Sequence, residues 1–180
     1  MLYFYYMFGD WTKYKVLEVF FREPSKKHQI REISRKIDLG SPSVKNYLEE
    51  LKNQELIEGV EEGVYPGYRA SMNQKFQDYK QMDTVRKIRE IGLVDKLESV
   101  FHPDAIVLYG SAARGEDTEQ SDIDLLIVAE EKNIELKQFE KKLNRKISLN
   151  FKKKKELIGS KEFSNSLANG IVLQGFLKVK

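Results

Sequence analysis

The chain contains no cysteine among its 180 residues. That absence removes disulfides, thiolate zinc sites and cysteine nucleophiles together, and it fits a reducing compartment. No Gly-x-Gly-x-x-Gly occurs anywhere, which excludes the usual dinucleotide-binding fingerprint. A large charge of one sign is missing too: 31 Lys and Arg against 28 Asp and Glu leave +3. So small a balance makes no general case for nucleic acid, and any such case rests on where the charges sit. No apolar run reaches the length of a membrane span. The aromatic stretch Leu2 to Phe8 is far too short, lacks a basic leader and has no small-residue cleavage site, so it is neither a span nor a secretory signal. Aromatics at that density are normally buried. We expect this stretch to pack on the first domain or against a second copy of the chain, as a homodimer contact. No internal repeat is present, and the lysine run Lys152 to Lys155 reads as a solvated loop. A cytoplasmic protein with no membrane partner is expected.

What is present describes a globular protein, with 41% hydrophobic and 33% charged residues. The length accommodates one medium domain or two small ones. From Thr12 to Arg22, Val16, Leu17 and Phe20 fall on one helical face, and Pro24 closes the element. A second helix is predicted over Ile30 to Ile37, with Ile30, Ile33 and Ile37 inward. Asp38-Leu39-Gly40 forms a turn, Ser41 is a suitable N-cap and Pro42 suits the first helical position. The third helix runs to about Gln54 with Val44, Leu48 and Leu51 buried. Two strands follow, Leu56 to Glu58 and Tyr65 to Ser71, around Glu61-Glu62-Gly63.

Two short helices joined by a Gly-bearing turn, followed by a hairpin, resemble the winged helix-turn-helix domains of prokaryotic transcription regulators. The resemblance implies duplex DNA as partner, with the third helix in the major groove and the hairpin on the backbone. Ser43, Lys45, Asn46 and Lys52 are then the candidate recognition-helix contacts. Lys26, Lys27, His28, Arg31, Arg35 and Lys36 supply charge for phosphates, with Arg69 acting from the wing. Glu49, Glu50, Glu58, Glu61 and Glu62 dilute that charge, so a protein-binding surface is the competing reading. His28 has no ligand partner at metal spacing and reads as a surface residue.

The most informative segment lies further on, from Val107 to Val128. An apolar run, Ala105 to Tyr109, ends in Gly110-Ser111, and a polar loop leads to a second apolar run bearing Asp122 and Asp124. Residues two apart share a strand face, so the aspartates project together while Ile123, Leu125 and Ile127 point into a core. Adjacent carboxylates raise each other's proton affinity unless a cation lies between them. Two hard oxygen ligands suit Mg²⁺ or Mn²⁺. Gly110 permits close approach of a ligand to backbone, and Ser111 offers a hydroxyl and an N–H to phosphate oxygens. Gly110 and Gly115 have P-loop spacing, but Glu116-Asp117 stand where Lys and Ser/Thr are required, which rejects that reading.

Gly110-Ser111, Ala113-Arg114-Gly115 and Ser121-Asp122-Ile123-Asp124 together resemble the signature of the minimal nucleotidyltransferases of the DNA polymerase β-like superfamily. The resemblance covers roughly Asp104 to Lys180. It implies a nucleoside triphosphate partner and a divalent cation on Asp122 and Asp124, which would also be the catalytic residues. Gly110, Ser111, Arg114 and Ser121 would bind the nucleotide. An ion pair from Arg114 to Glu116 or Asp117 is an equally good account of that arginine. In the superfamily a later strand carries a third carboxylate. Here that strand, Arg145 to Phe151, offers Ser148, or Asn150 in a register shifted by two. Either way an anionic ligand of the activating metal is missing. This leaves two functional expectations: a nucleotidyltransferase acting on a hydroxyl acceptor, or a degenerate regulator whose second domain senses nucleotide or binds a partner.

The expected fold is α+β. A winged helix-turn-helix spans 1–80 and a helical connector, bent at Gly92, spans 81–103. A polymerase β-like nucleotidyltransferase fold with a mixed sheet and flanking helices spans 104–180. Within it, a helix over Ile134 to Asn144, a helix near Lys161–Ala168 and a last strand from Ile171 with a bulge at Gly175 are predicted. This order is similar to that of archaeal proteins joining a winged helix to a minimal nucleotidyltransferase.

Overall fold

The computed structural model describes residues 11–62, 65–153 and 169–176. The Leu2–Phe8 stretch and the helix expected near Lys161–Ala168 lie outside them. The chain divides between Gln77 and Asp78 into two compact units. No helix among the described residues is long and apolar enough to cross a membrane.

The first unit holds helices α1 (Trp11–Arg22), α2 (Ile30–Ile37) and α3 (Ser41–Asn53), then strands β1 (Ile57–Val60) and β2 (Gly67–Ala70). Val16, Leu17, Phe20, Ile33, Val44, Leu48 and Leu51 are completely buried, as their spacing requires. Ile30 and Ile37 are only half-buried, because an eight-residue helix presents one full turn to the core and its ends stay near solvent. The turn before α3 uses Asp38 in the left-handed region, at φ 52°. The N-cap of α3 is Gly40 rather than Ser41, with Pro42 in the first turn. Ser41 is the first helical residue, and its hydroxyl faces Ser34 Oγ at 3.4 Å instead of capping. β1 and β2 pair antiparallel from Ile57 opposite Ala70 to Val60 opposite Gly67. His28 and Tyr68 exchange two backbone hydrogen bonds of 2.8 Å, which ties the α1–α2 loop to β2.

In the second unit lie strands β3 (Ala105–Tyr109), β4 (Ile123–Val128), β5 (Ile147–Lys152) and β6 (Ile171–Gly175), in the order β5-β4-β3-β6. β3 is antiparallel to both β4 and β6, whereas β4 and β5 run parallel, so the sheet is mixed. Helix α4 (Gln74–Glu90) carries the chain into this unit and is followed by α5 (Leu93–Phe101). Gly92, at φ 76°, separates the two. A four-residue helix, α6 (Gly110–Ala113), follows β3, and α7 (Lys137–Leu143) precedes β5.

One face of the sheet presents Ile106, Leu108, Ile123, Leu125, Ile127 and Leu173 to Ile88, Leu93, Val94, Leu97, Phe101 and Phe139. The segment expected as a connector, 81–103, thus supplies much of this core. Its apolar stripe needs a cover, and the sheet offers one. α7 begins at Lys137, later than Ile134, yet Leu136, Phe139 and Leu143 all reach the core as their spacing predicts. On the other face Ala105, Val107, Leu126 and Val128 form a smaller cluster with Tyr109 against it. The β3–β6 register shifts by one residue between Ile106 and Val107. Gly175 closes that irregular end, where an added Cβ would stand 2.0 Å from the Asp104 carbonyl oxygen.

Candidate functional site

The site is built where β3 ends beside the start of β4. Apolar residues fill β3 through Leu108, and Tyr109 is the register partner of Asp124. Gly110 then turns the chain with φ 73°, a conformation that costs a side-chain-bearing residue about 1–2 kcal/mol. A Cβ at Gly110 would lie 2.6 Å from Asp124 Oδ2, so only glycine leaves the carboxylate its place. Ala112 and Ala113 bury the short helix against the sheet. The amides of Arg114 and Glu116 both bond the Ser111 carbonyl, at 3.1 and 3.0 Å, which curls the chain away from β3.

Asp122 is exposed and Asp124 half-buried. Burial raises the Asp124 proton affinity, the Asp122 charge adds to the effect, and Arg145 opposes it. Among the described residues no Lys or Arg side chain forms an ion pair with either aspartate. This is an under-neutralised anionic pair with one member partly desolvated, which is the setting a divalent cation relieves. The donor set and the space kept by Gly110 therefore fit a hard cation.

The parallel β4–β5 register decides which residue of β5 stands beside Asp124. Asp124 is opposite Ser148, and Asn150 is opposite Leu126. Asn150 instead donates from Nδ2 to the Tyr109 hydroxyl at 2.8 Å. The row across the sheet is thus Ser148, Asp124, Tyr109.

Arg114 pairs with Glu116, Nε to Oε2 at 2.7 Å. The Ser121 hydroxyl accepts from the Thr118 amide at 2.9 Å and organises the loop. Three charged residues near the site escaped the sequence reading. Asp117, in the loop, is 1% exposed, and its carboxylate lies 2.7 Å from both Lys80 Nζ and Arg145 Nη1. The one available signal was Lys80 standing four residues after Phe76, on the stripe that buries Phe76 and Ile88.

In the first unit Arg31, Arg35, Ser43, Lys45, Asn46 and Lys52 are all exposed, on α2 and α3. Arg69 is exposed as well but pairs with Glu58 at 2.7 Å. His28 does not lie at the surface. It is fully buried, its ring edge-on to Phe20 at 5.2 Å, because the backbone bridge to Tyr68 draws the loop inward. Its Nε2 faces the Glu23 carbonyl at 3.1 Å, and burial lowers its proton affinity. Ligand atoms of Glu23, His28 and Glu32 lie within 4.8 Å of one another. Lys26 and Lys36, both exposed, each pair with both carboxylates in a local ion cluster. This corrects the placement of His28 at the surface.

Residues 85–172 match the family model described as nucleotidyltransferase domain. The match spans β3, the short helix, the loop and β4, and it supports a likeness of this segment to nucleotidyltransferase domains. None of the curated proteins matches the chain.

Proposed function

We propose that the second unit binds a nucleoside triphosphate with a divalent cation and transfers its nucleotidyl group to a hydroxyl acceptor. The observation that carries this reading is the under-neutralised pair Asp122 and Asp124, of which Asp124 is partly desolvated and lies against Gly110. In this reading Asp122 and Asp124 hold Mg²⁺ or Mn²⁺, which would neutralise the phosphate oxygens as charge shifts toward the leaving group. Ser111 donates its hydroxyl and N–H to the phosphates, next to the backbone that Gly110 keeps bare. Ser121 orders the loop, while Arg114 meets phosphate only by leaving Glu116. The acceptor oxygen forms a bond to the α-phosphorus as the bond to the bridging oxygen breaks, releasing pyrophosphate. The acceptor proton passes to a carboxylate or to solvent.

A second reading draws on a specific observation: Ser148, opposite Asp124, is neutral. A site short of one anionic ligand holds its activating cation weakly, so nucleotide binding outlasts fast transfer. The chain is then a regulator that senses nucleotide. Calorimetry of the full chain with each nucleoside triphosphate, with and without Mg²⁺, together with pyrophosphate release, separates the readings. Metal-dependent binding with turnover supports the enzyme, and metal-dependent binding alone supports the sensor. Equal binding by wild type and by a variant with both aspartates changed to Asn would defeat both.

For the first unit we propose a winged helix-turn-helix that binds duplex DNA through α3. The order of three helices and an antiparallel hairpin supports this, as do the exposed Lys45, Asn46, Lys52 and Arg35. The Arg69–Glu58 pair leaves the hairpin little charge to offer, so the helix carries the contact.

A further inference from the structure

Arg145 makes three contacts with the loop that leads to the aspartates. Nη1 pairs with Asp117 Oδ2 at 2.7 Å, Nε donates to the Ser121 carbonyl, and Nη2 reaches the Asp122 carbonyl at 3.4 Å. A planar guanidinium can serve three such acceptors only in one orientation, and Asp117 sets it. Asp117 is itself held from α4. Lys80 Nζ lies 2.7 Å from Oδ1 and gives its aligned hydrogen bond to the Asp117 main-chain carbonyl. Lys80 and Asp117 are 2% and 1% exposed. Next to Lys80 on the same helix, Gln81 donates to the carbonyl of Ala113, the last residue of the short helix.

Burying charge in this way is an expensive means of fixing a loop, since each ion forfeits several kcal/mol of hydration and an apolar anchor would serve as well. Two cations share one carboxylate here, with Glu119 a further acid acting on Lys80. The guanidinium of Arg145 is turned onto the carbonyls on either side of the Asp122 peptide N–H. We infer that Arg145 is a positioning residue for the Asp122–Asp124 pair, oriented by Asp117, which Lys80 anchors. The inference rests on the cation-binding reading of those aspartates. Arg145 touches neither nucleotide nor cation; it fixes the peptide from which Asp122 projects.

The sign of one measurement separates positioning from a simple charge effect. A guanidinium near a cation site repels the cation, so if Arg145 acted by charge alone, its removal would tighten Mn²⁺ binding. If it positions Asp122, removal weakens binding even though the repulsion is relieved. The test is Mn²⁺ alone, titrated into the full chain by calorimetry and by the resonance signal of free Mn²⁺, for wild type, Arg145→Met, Arg145→Lys and Asp117→Asn. Circular dichroism and thermal unfolding identify the variants that fold. We expect Arg145→Met to lose tenfold or more in affinity, as removal of supporting partners around metal ligands does (about 10–100-fold). Arg145→Lys keeps the charge but not the fork, and we expect no rescue. Asp117→Asn should lie between wild type and Arg145→Met. Unchanged or tighter Mn²⁺ binding in folded Arg145→Met or Arg145→Lys overturns the inference. Should Arg145→Met fail to fold, Arg145→Lys and Asp117→Asn decide by the same criterion. Absence of Mn²⁺ binding in wild type, or its persistence without the two aspartates, instead overturns the site reading on which the inference rests.

Discussion

Asp124 and Ser148 are register partners on neighbouring parallel strands, so their side chains leave the same face of the sheet. A carboxylate at 148 would stand beside Asp124, which identifies the site at which to restore an acid. Ser148→Asp should raise pyrophosphate release about tenfold, or about 1.4 kcal/mol in barrier height. Asn150→Asp, whose partner is Leu126, should not. Without metal, Ser148→Asp should melt lower than wild type, since it adds like charge, and Mn²⁺ should recover more stability in it than in wild type. Equal turnover in all three chains would detach β5 from the chemistry.

Gly110→Ala tests the packing against Asp124. The new methyl has no room beside Oδ2, at 2.6 Å, and φ 73° disfavours any side chain. The backbone term alone costs about 1–2 kcal/mol. Loss of Mg²⁺-dependent nucleotide binding should exceed that loss of stability, because Asp124 must move. Chemical denaturation and calorimetry on the same samples compare the two effects.

Acid should unfold the first unit early. Burial alone would raise the Glu32 carboxyl, but Lys26 and Lys36 outweigh it and hold it down to about 2 from 4.5. The unfolded carboxyl therefore takes up protons first. The stabilisation is fully present above about 4.5 and is lost as the pH falls toward 2. At full value the shift amounts to about 3 kcal/mol, reduced by solvent screening at a partly exposed group. His28 acts in the same direction: burial lowers its proton affinity, so acid favours the unfolded chain below its ordinary range. Trp11, the single tryptophan, lies in α1 and reports on this unit. Its fluorescence in denaturant between pH 7 and 3 should show a steep decline for wild type and a shallower one for Glu32→Gln.

Duplex binding should depend on salt through the residues of α2 and α3. Replacing Lys45 or Arg35 with Ala should reduce the slope of log affinity against log salt by about 1 for each phosphate left unneutralised. Arg69→Ala should change it less, since Glu58 already neutralises that side chain. A full chain with no affinity for duplex at low salt would favour the protein-binding surface.

The helices and strands were largely legible because their apolar periodicities are met locally: Val16, Leu17 and Phe20 in one helix, Ile123, Leu125 and Ile127 in one strand. The Gly110-Ser111 and Asp122-x-Asp124 elements were legible for a different reason, since turn, strand and paired acids each restrict residue choice. The strand register was not. Whether Ser148 or Asn150 faces Asp124 depends on a parallel pairing between distant segments, which no local pattern encodes. His28 and Lys80 were missed on similar grounds. A polar side chain reads as exposed unless its partners are known, and those of Lys80 lie in the loop after α6. The core role of α4 and α5 was hidden because an apolar helix stripe does not name the surface that covers it.

The central position of β3 has a consequence for how the molecule is made. β3 meets β4 soon after it is synthesised, but its other edge waits for β6, which follows β5 in the chain. Among the described residues no strand that emerges before β6 pairs with that edge of β3, which until then is open to other strands. Such long-range pairing is slow to form. The Gly110 turn hangs from the end of β3, so its final geometry is set late. On the proposed reading, ligand competence then waits until both neighbours of β3 are in place.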